Sequence, residues 1–115
     1  MLYTSLMTFE EYQKESKKTA TYQEKGREFW YPALGLAGES GEVIEKVKKL
    51  FRDDNGVLSD ERRESLKNEL GDVLWYLTQI ATDAGIPLES IAKGNIDKLF
   101  SRKTRGKITG DGDNR

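Results

Sequence analysis

Apolar residues recur at helical spacing through most of the chain, and no stretch alternates as a strand does. Four helices are expected, with short breaks between them and no internal repeat. The first opens at Thr8, an N-cap followed three residues on by Glu11, and runs towards Gly26 with a poor stripe of Phe9, Tyr12, Ala20 and Tyr22. The second spans Tyr31 to Arg52, with Pro32 tolerated in its first turn, and stops at Asp53-Asp54-Asn55-Gly56. The third starts from Ser59, with Asp60 and Glu61 in its first turn, and ends near Gly85. The fourth runs from Pro87 to about Lys103. Residues 1–7 form an N-terminal extension, and 106–115 a Gly-rich tail that looks disordered on composition alone. The pattern predicts one all-α domain over 1–115, an antiparallel four-helix bundle.

Helices two and three carry the informative feature. One contains Glu39-Ser-Gly-Glu42 and the other Glu69-Leu-Gly-Asp72, each with two carboxylates a helical turn apart on one face. With Glu39 set at zero, Leu36, Val43, Val47 and Leu50 fall between about 20° and 80°, and Glu42 at about −60°. With Glu69 at zero, Leu66, Val73, Leu77 and Ile80 fall in the same sector and Asp72 at about −60°. Each acid pair therefore borders the same edge of its buried stripe. Antiparallel packing would gather four carboxylates beside the core, where mutual repulsion calls for a cation. Either pair alone reads as an ordinary solvated helix face; the matched placement argues for a site.

Composition narrows the chemistry. The chain has no Cys and no His, which excludes thiolate and imidazole catalysis and leaves only oxygen to hold a metal. Mg²⁺ suits such ligands, and Mn²⁺ can substitute. Hydrophobic residues make up 36% of the chain, a sparse supply that predicts helices shared between copies, as a homo-dimer or tetramer. Net charge is −1, which argues against nucleic acid as a partner. No apolar run approaches the roughly 20 residues needed to span a bilayer, so no membrane role and a cytoplasmic location are expected. Charge is uneven: residues 1–92 carry 12 basic and 17 acidic side chains, and 93–115 carry seven and three. Gly35, Gly38, Gly41 and Gly71 sit inside helices, where small residues admit a close backbone or a ligand; for Gly35, helix packing is the expected reason.

Leu34-Gly-Leu-Ala-Gly-Glu-Ser-Gly-Glu-Val43, then Asn68-Glu-Leu-Gly-Asp-Val-Leu-Trp-Tyr76, resembles the MazG-like all-α nucleoside triphosphate pyrophosphohydrolases, whose signature is EExxE followed by ExxD. The ending Asn95-Ile-Asp-Lys98-Leu99-Phe-Ser-Arg102 with Gly110-Asp-Gly-Asp-Asn-Arg115 resembles the compact bacterial and phage members. One position departs: Gly38 stands where the signature has its first Glu. The resemblance implies hydrolysis of a nucleoside or deoxynucleoside triphosphate to monophosphate and pyrophosphate, with Glu39, Glu42, Glu69 and Asp72 as metal ligands. Without His, a carboxylate must also serve as base, and Glu39 and Glu42 are the candidates. Asn95, Lys98, Arg102, Arg105 and Arg115 are candidates for phosphate and sugar, the tail folding over bound phosphate. Phe29, Trp30 and Tyr31 are candidates for stacking on the base, with Trp75 and Tyr76 as alternatives. Phosphoribosyl-ATP or an alarmone as substrate, and a non-catalytic helical module, remain as other readings.

Overall fold

A computed structural model describes residues 6–22 and 29–115. It contains α1 (Phe9–Lys17), α2 (Trp30–Asp54), α3 (Asp60–Asp83) and α4 (Leu88–Thr104), with no strand among the described residues. The all-α expectation holds. Thr8 Oγ1 accepts from Glu11 N at 3.1 Å and Ser59 Oγ from Arg62 N at 3.2 Å, so both expected N-caps are in place. Asn55 and Gly56, at φ 55° and 77°, take the left-handed backbone that stops α2 and starts the turn into α3.

α1 is shorter than its sequence suggests. It ends at Lys17, where Thr19 donates its hydroxyl to Ser16 O (2.7 Å) and accepts from Trp75 Nε1 (2.8 Å). A long-range contact thus turns the chain before the helical pattern runs out, and carries Ala20 and Tyr22 into buried positions. Gly26 lies outside the described residues.

α2 and α3 form an antiparallel hairpin that is the backbone of the fold. Its register is read from pairs along its length: Gly35 against Tyr76, Lys46 with Glu69, and Asp54 with Arg62 at 2.6 Å near the closed end. A Cβ on Gly35 would overlap the ring of Tyr76, so close packing explains that glycine. Gly35→Ala is expected to lower stability by about 1–3 kcal/mol through overpacking, read as an earlier denaturation midpoint. A midpoint unchanged from the parent would contradict it.

α1 crosses α3 through a polar seam. Buried Gln79 donates to Ser16 Oγ (2.9 Å), and Gln13 donates to Ile86 O (2.9 Å) while accepting from Leu88 N (2.8 Å). Gln13 thereby caps α4, whose own N-cap, Pro87, offers no side-chain acceptor. Beyond that join α4 departs; it meets α1 and α3 but not α2. The protomer is consequently open, with a radius of gyration of 17.0 Å, against about 13 Å for a compact chain of this size. Among the described residues the buried apolar side chains are few, Ala20, Tyr22, Pro32, Ala81 and Leu88, while Ile44, Phe51 and Phe100 are 61–68% exposed.

Candidate metal centre

The hairpin places the two acid pairs side by side. Glu39, Glu69 and Asp72 each offer a carboxylate oxygen, and the three oxygens lie within 4.8 Å of one another. Glu39 and Glu69 are half-buried and Asp72 is exposed. Burial pushes the Glu39 carboxyl above the ordinary carboxylate range, and the negative charges of Asp72, Glu69 and Glu42 push it further. Glu42 faces solvent, one turn along α2; it raises Glu39 electrostatically but stands outside the trio. Lys46 Nζ, 3.9 Å from Glu69 Oε1, is a nearby positive charge.

Three oxygen donors with unfavourable charge between them fit a hard divalent cation. Cβ atoms on Gly38, Gly41 or Gly71 would meet nothing within 4 Å, so no packing within the described chain requires these glycines. They leave open space along the acid-bearing segments, where Gly35 is closed off by Tyr76.

Tyr12 and Tyr76 border the acids, and Tyr31 adjoins Tyr76. Burial raises Tyr12 above its usual range, helped by the charge of Asp72; burial also raises Tyr76, with Tyr31, Glu39 and Asp72 adding to it. Tyr31 stacks on Tyr22 at 4.9 Å, Tyr22 meets Trp75 edge-on at 6.3 Å, and Trp75 meets Tyr76 edge-on at 5.0 Å. Asp83 Oδ2 anchors this cluster, accepting from Tyr22 Oη (3.1 Å) and Phe29 N (3.2 Å). Phe29 and Trp30 are half exposed. Of Phe29, Trp30 and Tyr31, Tyr31 is the one that adjoins Tyr76, which itself takes part in both packing and the site.

The C-terminal candidates lie elsewhere, and the tail is ordered rather than loose. Arg102 is buried and donates from Nη2 to Asp113 O (2.6 Å) and Gly112 O (3.5 Å). Arg115 donates to the carbonyls of Lys107 (3.1 Å), Ile108 (3.0 Å) and Gly112, and Arg105 donates to Ser101 Oγ (3.1 Å) and Arg115 O (2.9 Å). A composition that reads as disorder is folded here because arginine side chains supply the donors that its carbonyls need. Lys98 Nζ lies 3.6 Å from Asp113 Oδ1, and Asn95 is exposed on α4. No hydrogen bond or ion pair found among the described residues links this group to the acids of α2 and α3.

Sequence reasoning missed Lys46, Tyr12 and Asp83. Lys46 had a signal, since it follows Glu42 by four residues on the same helix. Tyr12 and Asp83 had none, because their roles depend on where α1 crosses α3.

The sequence profile of the MazG nucleotide pyrophosphohydrolase domain matches residues 32–106, which takes in both acid pairs. The Gene 37 protein of Mycobacterium phage L5 is 49% identical over 85 residues, covering 74% of this chain and 75% of that protein. No solved structure matches. With the profile spanning well over half of the sequence, the chain belongs to the MazG nucleotide pyrophosphohydrolase family.

Proposed function

We propose that the protein hydrolyses nucleoside or deoxynucleoside triphosphates to monophosphate and pyrophosphate, using Mg²⁺, for which Mn²⁺ can substitute. The observation that carries this reading is the convergence of Glu39, Glu69 and Asp72 from two helices of a pyrophosphohydrolase domain. These three hold the metal, with Glu42 at the rim. Bound there, the cation supplies charge neutralisation for the triphosphate oxygens.

The base needs a lone pair that is not given to a cation, and it must reach the water that attacks the α-phosphorus. Glu42 meets that description better than Glu39, because it lies beside the trio and outside it. Tyr31 gives the base a stacking face, with Phe29 and Trp30 flanking it. Lys98 and Arg105, on α4 and at its C-terminal end, are the candidates for phosphate and Asn95 for the sugar, while Arg102 and Arg115 hold the tail that follows.

The unit is a homo-oligomer, dimer or tetramer, which supplies the cover that exposed Ile44, Phe51 and Phe100 lack in one copy. The chain acts as one domain over 1–115, on soluble nucleotides in the cytoplasm. No described helix is long and apolar enough to cross a membrane.

The test is pyrophosphate release from each common NTP and dNTP with Mg²⁺, with Mn²⁺ and with EDTA. Metal-dependent release of monophosphate and pyrophosphate is expected. Absence of turnover on all of them would overturn the reading.

A further inference from the structure

We propose that Asp83 is a positioning residue for nucleobase recognition: by holding Tyr22 and the start of α2 on one carboxylate oxygen, it sets the Tyr31 ring on which the base stacks. This rests on the reading of the protein as a nucleotide hydrolase, and deepens it by naming what fixes the base-binding face.

Asp83 has no local reason to stand where it does. It is the last residue of α3, where the helix carbonyls concentrate negative charge and a carboxylate is unfavourable. The last turn of α3 carries no basic side chain to offset it. Nor is it a metal ligand, since it lies about 16 Å along the helix axis from Asp72. What it has is two long-range hydrogen bonds on a single oxygen, Oδ2, from Tyr22 Oη at 3.1 Å and from Phe29 N at 3.2 Å.

Those two donors fix Tyr31 from two directions. Tyr22 is buried, and its ring stacks on Tyr31 with centroids 4.9 Å apart and planes 24° from parallel. Phe29 is the N-cap of α2, just before Tyr31, and its φ of 66° with ψ of −64° is a conformation that a bulky residue keeps only when its surroundings hold it. Its N–H bond to Asp83 ties that helix start to α3. Tyr31 itself remains 40% exposed and adjoins Tyr76, which feels the charges of Glu39 and Asp72. An aromatic ring backed by a second ring, still partly open and one tyrosine away from the acids, suits a base whose phosphates are held at the metal.

The test measures binding of the common nucleoside and deoxynucleoside monophosphates to the full chain in Mg²⁺ by calorimetry, with ribose 5-phosphate and deoxyribose 5-phosphate as base-free controls. The parent is expected to bind at least one monophosphate more tightly than its base-free control. Asp83→Ala is expected to weaken that monophosphate about five- to tenfold, while its affinities for the sugar phosphate and for Mg²⁺ stay unchanged. A merely structural role would lower all three together. Asp83→Asn keeps a carbonyl oxygen able to accept both bonds, and is expected to restore binding to about the level of the parent. Tyr22→Phe removes one donor but keeps the ring, and is expected to lose about two- to fivefold on the base-bearing ligand alone; it carries the test should Asp83→Ala not fold. The proposal is overturned by a parent with no preference for a base-bearing ligand, by losses that extend equally to sugar phosphate or Mg²⁺, by an Asp83→Asn no better than Asp83→Ala, or by Tyr22→Phe and Asp83→Ala that bind as the parent does. Pyrophosphate release from triphosphates is assayed separately. A protein that releases it without any base preference sinks this inference and leaves the catalytic reading intact.

Discussion

Glu69→Gln is expected to abolish metal-dependent pyrophosphate release, lowering turnover by about a thousandfold or more, of the order seen when an electrostatic element of a transition state is removed. Glu69 belongs to the trio whose oxygens lie within 4.8 Å of one another, shares a helix face with Asp72, and has Lys46 Nζ 3.9 Å from its Oε1. Glutamine preserves size and one carbonyl oxygen but removes the charge that a hard cation requires. Titration calorimetry should show Mg²⁺ affinity falling together with activity. Glu42→Gln is predicted to separate the two quantities, retaining most Mg²⁺ affinity while losing about 10²–10⁴ in turnover, the usual contribution of a general base. Equal loss of metal affinity in both variants would make Glu42 a ligand and return the base to Glu39. Unchanged turnover in Glu69→Gln would remove the trio from catalysis.

The residues that made the site legible are those whose signal is local. Glu39, Glu69 and Asp72 could be brought together on paper because the buried stripes of α2 and α3 give each helix a known inner face. Thr8 and Ser59 marked helix starts by their own side chains, and Gly35 declared close packing by lacking one. The end of α1 was not legible, since Thr19 stops the helix through Trp75, 56 residues away. Nor was the tail, where Arg102 and Arg115 read as free cations and serve instead as hydrogen-bond donors to a Gly-rich loop. Gln13 had no signal at all: its task of capping α4 exists only once three helices have met. Local periodicity therefore located the carboxylates, while everything resting on the crossing of α1 or the path after α4 required the structure.

Without metal, the acid cluster is expected to weaken the fold, and Glu39→Gln to strengthen it. Glu39 is the carboxyl that burial and three like charges push upward, so its folded-state value lies above its unfolded one. The folded protein then binds more protons at this group than the unfolded chain does. The group favours folding fully at pH below its unfolded value, and that contribution is lost as pH rises through the raised folded value. Glu45 and Asp53 run the other way, since Lys48 and Arg52 hold them low, so the total pH dependence mixes both signs. Comparing parent and Glu39→Gln isolates the one that matters. In EDTA at neutral pH the variant should melt about 2–4 °C higher than the parent, with the gap closing towards pH 4. Mg²⁺ should reverse the order: at a hundredfold excess over its Kd it stabilises the parent by about 2.7 kcal/mol, while the variant, short of one ligand, gains much less. A parent whose melting point ignores Mg²⁺, or a variant that melts lower in EDTA, would mean that these carboxylates are solvated surface charges and not a site held ready for a cation.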